Sequence, residues 1–409
     1  MNKRYYEYVL ELVSPLSLGS GLNRNSDSDV LRDGKGRPFI PATSIAGVLA
    51  SRLNDDDKKR LFGSDKGGDF TDSKVIFYDA VLTNKASTVT VRDGVALEDR
   101  VAKDSAKFDF EAVEQGVCFK GYFELDDKLS SDDEKQLLNQ LSALNSGILR
   151  LGHKTTRGYG QVRVNKLNKL AFTDIDKWLE FDMYGDWNGA EDIELLDCKS
   201  DTDVIRLELT LKSALSIREY TTELPDGSDN DTAPDYKFMS LKHNGTPIIP
   251  GTTWAGAFRD RFTEFMGEDA RKVLFGYVEQ YTKNTAKSKI TFSESVFKKG
   301  SYTEKLITRN SIDRFSAATN DGALYTELTI FGGKTELTIT LPRDKDIDNS
   351  SKAAVFACIV DLDNGFMSIG GLASVGRGLF GVDKLYINGK DMTNVFKTYD
   401  LKKLTEEVQ

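Results

Sequence analysis

The sequence predicts an α+β protein with two tandem domains of the same fold. Residues 37–49 read RPFIPATSIAGVL, and residues 246–258 read TPIIPGTTWAGAF, so one segment is written twice. Four further pairs of segments repeat in the same order, at an offset that drifts from about 209 to about 220 residues, as insertions in loops between fixed elements produce. Each copy follows the order strand, helix, strand, insert, strand, helix, glycine-rich loop, strand, which is typical of an antiparallel sheet with helices on one side.

The other repeated segments cover the rest of each copy. They are RLFG at 60–63 and VLFG at 273–276, SKVIFYDAVL at 73–82 and SKITFSESVF at 288–297, LEDR at 97–100 and SIDR at 311–314, and LGHKTTRGYGQV at 151–162 and IGGLASVGRGLFGV at 369–382. A ferredoxin-like sheet, the shape that RNA-recognition domains also use, is the fold that this order favours.

The first copy begins with a strand and a capped helix. Residues 5–18 alternate apolar and polar side chains and predict a half-buried strand, and the polar stretch 19–29 predicts a long loop. Pro41 is tolerated at the start of the helix that follows, and Thr43 or Ser44 is expected to cap that helix.

The same reading continues through the rest of the chain. In the second copy Thr252 or Thr253 is the expected cap. The segment 92–116 is charged and is interpreted as an irregular insert before the next strand, while 133–145 predicts a helix and 152–160 a glycine-rich turn.

The repeat also sets the predicted domain boundaries. Residues 165–203 have no counterpart in the other copy. The prediction is therefore a first domain at 1–168, a partly helical connector at 169–202, a second domain at 203–395 and a polar tail at 396–409.

Composition excludes several classes of protein. The 409 residues are 39% hydrophobic and 29% charged, as in a soluble globular protein with room for two cores. No apolar run approaches the roughly 18–20 residues of a membrane helix, and three scattered cysteines form neither a zinc motif nor a disulfide framework, so we expect a cytoplasmic protein without membrane contact. The net charge of −9 disfavours general coating of nucleic acid but leaves a single basic groove open.

The duplicated motifs together resemble one family. The repeated IP-(G/A)-(S/T)-(S/T) helix start, the later LFG and the terminal glycine-rich loop, in this order and twice, resemble the RAMP superfamily, and specifically the backbone subunits of type III CRISPR effector complexes. The resemblance implies RNA-recognition-like domains that stack along a guide RNA, each with a thumb-like hairpin that splays one nucleotide per segment out of the duplex. It implies guide RNA, target RNA, other effector subunits of the same superfamily and the large signalling subunit as partners.

The helix starts and glycine-rich loops are the expected RNA contacts. Backbone N–H groups at a helix start and cations beside glycines can bind phosphate without reading bases. An ordinary capped helix and a tight turn are the alternatives, and Ala46 and Ala255 stand where related sequences carry a lysine. The residues expected to contact RNA are Thr43, Ser44, Arg100, Gly152, Lys154, Arg157, Gly158, Thr252, Thr253, Arg259, Arg314, Gly371, Arg377 and Gly378.

The resemblance also implies an aspartate that cleaves target RNA in the loop after the first strand. Asp27 lies about eleven residues before Pro38, and Asp235 about twelve before Pro247, which matches the position of that aspartate, and Asp29 and Asp231 are neighbouring candidates for the same role. A carboxylate with a pKa of about 3.9 is a poor base at neutral pH, so Mg²⁺ or Mn²⁺ is the expected cofactor. The alternative is that these aspartates only stabilise turns.

The inserts at 92–116 and 306–325 are expected to supply the thumbs, because they interleave cations with aromatic residues that can stack on bases. Packing of those aromatics in the core is the alternative. Two further functions stay open. One is a scaffold without catalysis in one or both halves. The other is an endoribonuclease that processes repeat RNA without metal. The chain has only two histidines, His153 and His243, and neither has a histidine counterpart in the other copy, which argues against this function.

Overall fold

The chain divides into two compact units. The computed structural model describes residues 2–21, 26–64, 70–83, 89–98, 101–196, 198, 201–221, 236–243, 245–278, 284–320 and 324–408. The first unit comprises Met1–Thr155 and Tyr159–Ser200, and the second comprises Thr156–Gly158 and Asp201–Gln409.

The described part of the first unit contains one large antiparallel sheet, a separate hairpin and four helices. Its strands are β1 (Lys3–Leu12), β2 (Phe39–Ile40), β3 (Val75–Phe77), β4 (Ala80–Leu82), β5 (Val89–Glu98), β6 (Val101–Val113), β7 (Cys118–Leu125), β8 (Val162–Phe172) and β9 (Glu191–Asp192). Its helices are α1 (Ala42–Ala50), α2 (Asp55–Phe62), α3 (Ser131–Asn145) and α4 (Ile175–Leu179). A 3₁₀ turn at Thr155–Arg157 begins in this unit, and its last two residues are assigned to the second.

The order of the main strands is that of a ferredoxin-like fold. Strand β1 is central and pairs antiparallel with β7 on one side and β8 on the other, and β3 pairs with β7. Strands β5 and β6 pair only with each other among the described strands, and form the first hairpin. The prediction that 92–116 is irregular was therefore wrong, because alternation such as Phe108-Asp109-Phe110-Glu111 supports a strand despite its charge.

The second unit repeats this plan. Its strands are β10 (Thr202–Leu211), β11 (Ala214–Leu215), β12 (Arg218–Thr221), β13 (Tyr236–Ser240), β14 (Lys242–His243), β15 (Thr246–Ile249), β16 (Tyr277–Val278), β17 (Thr285–Ala286), β18 (Thr291–Phe292), β19 (Ser295–Val296), β20 (Tyr302–Arg309), β21 (Tyr325–Gly332), β22 (Lys334–Pro342), β23 (Phe380–Ile387) and β24 (Lys390–Asp391). Its helices are α5 (Gly251–Phe275), α6 (Asn349–Asn364), α7 (Thr393–Lys397) and α8 (Leu401–Glu406), with a 3₁₀ turn at Ala373–Val375.

Strand β10 is the counterpart of β1. It pairs antiparallel with β22 and β23, and β18 pairs with β22, so the strand order of the first unit recurs. Strands β20 and β21 form the second hairpin. Helix α5 bends at Gly267, where the first unit has two separate helices. The predicted α+β fold with two tandem copies is confirmed.

Apolar periodicity explains where the core of the second unit lies. Alternate residues of β10 are buried, from Asp203 to Leu211, while their neighbours are half-exposed. On α5, Trp254, Phe258 and Phe262 follow each other at four-residue spacing, and each is at most 1% exposed. Full burial of a side chain of this size contributes about 1.5–3 kcal/mol, so this face of α5 anchors the helix to the sheet.

The predicted connector and the predicted polar tail both contribute side chains that pack on a unit. In the predicted connector, Trp187 stacks on Tyr122 of the first sheet with ring centroids 5.9 Å apart. In the predicted polar tail, Phe396 and Leu404 are completely buried in the core of the second unit. The tail therefore contributes to folding of the second unit, which its polar composition conceals.

A buried carboxylate makes the first unit sensitive to acid. Glu134 on α3 accepts hydrogen bonds from Arg4 at 2.8 Å, from Lys169 at 2.5 Å and from the Tyr6 hydroxyl. Burial acts to raise the pKa of Glu134, but the hydrogen bonds from Lys169, Tyr6 and Arg4 outweigh it, and the pKa is lowered. The stabilisation is therefore complete above the ordinary value of 4.5 and is lost as the pH falls through the folded-state pKa.

We expect the Glu134→Gln variant to unfold at a lower temperature than the parent at pH 7, and to lose less stability than the parent below about pH 4.5. Thermal unfolding followed by circular dichroism across that pH range measures both effects. Asp132→Asn, on the same helix turn but with a side chain 92% exposed, is the matched control. A stability difference between parent and Glu134→Gln that is equal at pH 7 and pH 3 would contradict the prediction.

Candidate nucleic-acid interface

The two glycine-rich loops follow the same backbone path. Gly160 and Gly378 both have φ of +75°, a conformation that residues with a side chain rarely adopt. A Cβ at Gly160 would collide with the carbonyl oxygen of Leu151, and one at Gly378 would collide with that of Ile369. Only glycine fits at either position, and the two loops match position by position from these anchors.

The alignment of the two loops shows that their arginines are not at equivalent positions. Arg157 ends the 3₁₀ turn of the first loop with an exposed side chain, and its counterpart in the second loop is Val375. Arg377 instead matches Tyr159. Arg157 and Arg377, which are both expected from the sequence to contact RNA, therefore occupy different positions in their loops.

Arg377 is not available to a ligand. Its side chain is 3% exposed and forms an ion pair with Glu327 on β21, which is also 3% exposed. Its Nη1 also donates to the Thr329 hydroxyl at 3.3 Å. The prediction that Arg377 contacts RNA phosphate is corrected on this ground, because the guanidinium is buried in an internal pair.

The predicted loop glycines shape the backbone. Gly152 is half-buried with φ of +75°, and Gly158 is buried with φ of +90°. Gly371 is exposed, but its N–H donates to the carbonyl oxygen of Ser216 at 2.8 Å. For Gly371 the structure favours the tight-turn alternative, since that N–H is already used within the fold.

The hairpin strands of the two units are also equivalent. Leu16 forms a bridge with Val113 at the end of β6, and Leu215 pairs with Ile330 of β21. Pro15 and Ala214 directly precede Leu16 and Leu215 in the chain. The carbonyl oxygen of Pro15 accepts from the N–H of Gly160, and that of Ala214 accepts from the N–H of Gly378, both at 2.8 Å. Positions on β6 and β21 can therefore be matched.

At these matched positions, the contact between the hairpin and the glycine-rich loop differs between the two units. In the first unit, Phe110 of β6 contacts Tyr159 of the loop edge to face, with ring centroids 5.9 Å apart. In the second unit, the same two positions hold Glu327 and Arg377. An aromatic contact in one copy is thus replaced by a buried ion pair in the other.

Lys154 is directed at aromatic rings of the first hairpin. Its Nζ lies 5.1 Å from the ring centroid of Phe108 and 2.9 Å from that of Phe110. Phe110 is 4% exposed, so it packs in the interior as the alternative reading allowed. Lys154 therefore contributes a cation–π contact that helps hold the hairpin against the loop.

The helix starts differ from the prediction. Helix α1 begins after Pro41 and α5 after Pro250, and neither has a side-chain cap. Thr43, Ser44, Thr252 and Thr253 are first-turn residues of these helices, exposed or half-exposed, because the chain turns helical directly after the proline. Their predicted capping role was wrong.

A carboxylate already occupies the start of α1. Asp79 Oδ1 accepts a hydrogen bond from the N–H of Ala42 at 2.8 Å. This negative charge competes with any phosphate at the same N–H group, so the proposed cradle is weakened in the first unit. On α5, Arg259 keeps a side chain 41% exposed, with a loose contact of 3.5 Å to Asp260.

The acidic loop of the first unit separates its two candidate aspartates. Asp29 is 6% exposed, and its Oδ1 accepts from the N–H and hydroxyl of Ser26 at 2.9 and 3.0 Å. Asp27 is exposed, and its Oδ2 accepts one hydrogen bond from the N–H of Asp109 at 3.0 Å. Asp29 is the turn former, and Asp27 is the aspartate presented to solvent.

Sequence reasoning missed the residues that hold this loop. Asp109 Oδ1 accepts from the N–H of Asp27 at 2.7 Å. Glu111 accepts from the N–H of Val30 at 2.9 Å and from Arg32 at 2.8 Å. The alternation of β6 was the available signal, but nothing in it names a partner 82 residues earlier in the chain.

Two predicted site residues, Asp235 and Arg100, lie outside the described residues. The strand that follows Asp235 is described, and its Lys237 lies opposite Thr326 of β21 in a parallel pair. Thr326 is the position that matches Asp109 on β6.

The second hairpin presents its tip to solvent. Asp313 accepts hydrogen bonds from the N–H groups of Phe315 at 3.0 Å and Ser316 at 2.7 Å. Hydrogen bonds from Ser316 and from the N–H of Phe315 lower the pKa of Asp313, so the turn carries a charge at neutral pH. Phe315 is 97% exposed, and Arg314 beside it is exposed.

Among the described residues, no group of three or more His, Cys, Asp or Glu side chains could hold a metal ion. None of the described helices combines the length and the hydrophobicity that a membrane span requires.

Comparison with known proteins agrees with the duplicated geometry. The chain is 27% identical over 166 residues to the CRISPR system Cms endoribonuclease Csm3 of Streptococcus thermophilus, covering 34% of this chain and 76% of that protein. It is 26% identical over 209 residues to the protein of the same name from Mycobacterium tuberculosis, covering 40% of this chain and 86% of that protein. Each relative is thus about as long as one of the two units.

The family model matches in the same two-part manner. The model of the RAMP superfamily matches residues 9–163 and again residues 221–381, which together are most of the chain. The first match begins within β1 and the second begins at the end of β12, and each contains one hairpin and one glycine-rich loop. The chain therefore belongs to the RAMP superfamily and carries two copies of its domain.

Proposed function

We propose that this protein is a backbone subunit of a type III CRISPR interference complex that binds the guide RNA and cleaves complementary target RNA. The observation that carries the proposal is the duplication of the RAMP domain, each copy with its own hairpin. Support comes from two relatives that are named as CRISPR endoribonucleases. Under this proposal, the partners of this chain are a guide RNA, a target RNA and other effector subunits.

Binding along a guide needs contacts that ignore base identity. Arg157, Arg259 and Arg314 are at least partly exposed and offer cations to phosphate. Phe315, at the tip of the second hairpin, can stack on any nucleobase, since every base has a π face. These contacts suit a protein that must accept any guide sequence.

Cleavage requires a group that organises the attacking hydroxyl. In the reaction, the 2′-oxygen of a nucleotide bonds to the adjacent phosphorus as the bond from phosphorus to the 5′-oxygen breaks. The 2′-hydroxyl proton passes to a base, and the 5′-oxygen takes a proton from water, leaving a 2′,3′-cyclic phosphate and a 5′-hydroxyl end. Asp27 is the carboxylate that can orient or accept the 2′-hydroxyl proton, because its side chain is exposed and its backbone N–H is fixed by a hydrogen bond to Asp109.

Asp27 also fits the expected metal ion. Its Oδ1 accepts no hydrogen bond from the described residues, and a hard oxygen ligand of this kind suits Mg²⁺ or Mn²⁺. Mg²⁺ commonly takes one or two protein carboxylates and completes its shell with substrate phosphates and water. When bound, the ion would stabilise the negative charge that develops on the phosphate oxygens.

The alternative function for the second unit is that of a scaffold that binds RNA without cleaving it. It is favoured by Lys237, which occupies the strand position opposite Thr326 where the first unit has the Asp27–Asp109 pair. Under this alternative, Asp235 would form a turn and only the first unit would cut.

Co-expression with neighbouring effector subunits and a CRISPR array tests the proposal. We expect a short RNA of defined length to co-purify with the protein, with affinity that falls as salt rises. The Arg157→Ala variant should weaken binding to all guides alike, whereas loss for some guide sequences only would contradict phosphate recognition. The absence of any bound RNA in the assembled complex would overturn the proposed function.

A further inference from the structure

Strand β6 of the first hairpin contacts a different loop through each of its two faces. Phe108 and Phe110 point to one face and meet Lys154 of the glycine-rich loop. Asp109 and Glu111 point to the other face and bind the acidic loop. The hairpin is therefore joined on one side to the loop that carries Asp27.

The contact between Asp27 and Asp109 is reciprocal. The N–H of Asp27 donates to Asp109 Oδ1 at 2.7 Å, and the N–H of Asp109 donates to Asp27 Oδ2 at 3.0 Å. One bond fixes the backbone of Asp27, and the other fixes the direction of its carboxylate. Together they restrain the residue in both respects.

Glu111 holds the remainder of the loop. Its N–H donates to the carbonyl oxygen of Ser28 at 3.0 Å, and its carboxylate accepts from the N–H of Val30 at 2.9 Å. Glu111 is 4% exposed and also pairs with Arg32, so these bonds belong to the interior of the unit. The loop on the C-terminal side of Asp27 is therefore hydrogen-bonded to the edge of β6.

The bonds between Asp27 and Asp109 differ from those of Glu111 because they face solvent. Asp27 is exposed and Asp109 is half-exposed. Hydrogen bonds in such a place add little to the free energy of folding, since water can replace either partner. Their main consequence is the direction in which the carboxylate of Asp27 points.

We propose that Asp109 is a positioning residue for Asp27, and that the first hairpin sets the geometry of the cleavage carboxylate through it. The inference rests on the proposed function, because it assigns Asp27 a part in cleavage. A hairpin that engages the RNA duplex and also holds Asp27 connects correct placement of the target to the arrangement of the cleaving group. The second unit has Thr326 and Leu328 at the positions of Asp109 and Glu111, and Thr326 is hydrogen-bonded to Thr308 at 2.9 Å.

The experiment uses the effector complex purified with its guide RNA, and an end-labelled complementary target RNA. Asp109→Ala and Asp109→Asn are compared with Asp27→Ala and with Asp127→Ala, an exposed acid in another turn of the same unit. Single-turnover cleavage at saturating target, target affinity and thermal unfolding are measured for each variant. The asparagine keeps an oxygen that can accept the Asp27 N–H, so it separates positioning from charge.

We expect Asp109→Ala to slow the Asp27-dependent cut by about tenfold or more, with target affinity and unfolding temperature unchanged. Asp109→Asn should recover most of the rate, and Asp127→Ala should cut as the parent does. A parental rate in Asp109→Ala overturns the inference, as does an Asp109→Asn variant as slow as Asp109→Ala. If Asp27→Ala itself cuts at the parental rate, the proposed role of Asp27 fails first, and that result is distinct from failure of the Asp109 inference.

Discussion

The Asp27→Ala variant is expected to lose one of the target cuts while it binds target RNA as tightly as the parent. A group that transfers or orients a proton in the transition state contributes about 10²–10⁴-fold to the rate, whereas it adds little to ground-state binding. Mapping of product ends on a labelled target, under single-turnover conditions with Mg²⁺, measures the loss. Asp235→Ala should remove any second cut.

Asp33→Ala is the matched control for this experiment. Asp33 lies in the same segment and holds a turn by accepting from the N–H groups of Lys35 and Arg37, both at 2.9 Å. Its removal disturbs the segment without touching Asp27. Loss of the same cut in Asp33→Ala would mean that loop shape alone is needed, and an unchanged cut pattern in Asp27→Ala would make Asp27 a turn former.

The second large effect concerns stability. Arg377→Ala and Glu327→Ala are each expected to destabilise the second unit by about 3–5 kcal/mol, because each leaves a buried charge without its partner. For a unit of this size, such a loss corresponds to a decrease in unfolding temperature of roughly 10 °C. Thermal and denaturant unfolding of the full chain measure it.

The first unit supplies the compensating change. The triple variant Glu327→Phe, Thr329→Ala, Arg377→Tyr copies Phe110, Ala112 and Tyr159 into the second unit, and should recover most of the lost stability, since an apolar replacement of a buried ion pair is often neutral or better. Lys390→Ala, which breaks an exposed pair with Glu407, should cost less than about 1 kcal/mol. A triple variant no more stable than the single variants would show that the two positions are not equivalent.

The repeat made the sheet order and the second domain predictable, because each copy supports the interpretation of the other. The helix starts were harder. Thr43 and Ser44 are residues that cap helices, but α1 begins directly after Pro41, whose carbonyl oxygen accepts from the N–H of Ser44 at 3.0 Å. Spacing alone does not distinguish a cap from a first-turn residue.

The candidate site shows where sequence reasoning ends. Asp27 was found by its distance from Pro38, and its exposure agrees with the role proposed for it. Arg377 was misread because glycines on both sides suggest an open phosphate loop, while its partner Glu327 lies on another strand. Asp109 was missed because a charged residue on an alternating strand is indistinguishable from a solvated one until the loop opposite it is known.

The aromatic contact in the first unit and the ion pair in the second, each between a hairpin and its glycine-rich loop, have a consequence for folding. Two similar domains on one chain can exchange equivalent segments and become trapped in a misfolded form. If the first hairpin folded against the second glycine-rich loop, Arg377 would be buried against Phe110 without its partner Glu327. That mismatch leaves an unpaired charge in an apolar setting, so the divergence of these two positions disfavours the exchange of one hairpin for the other during folding.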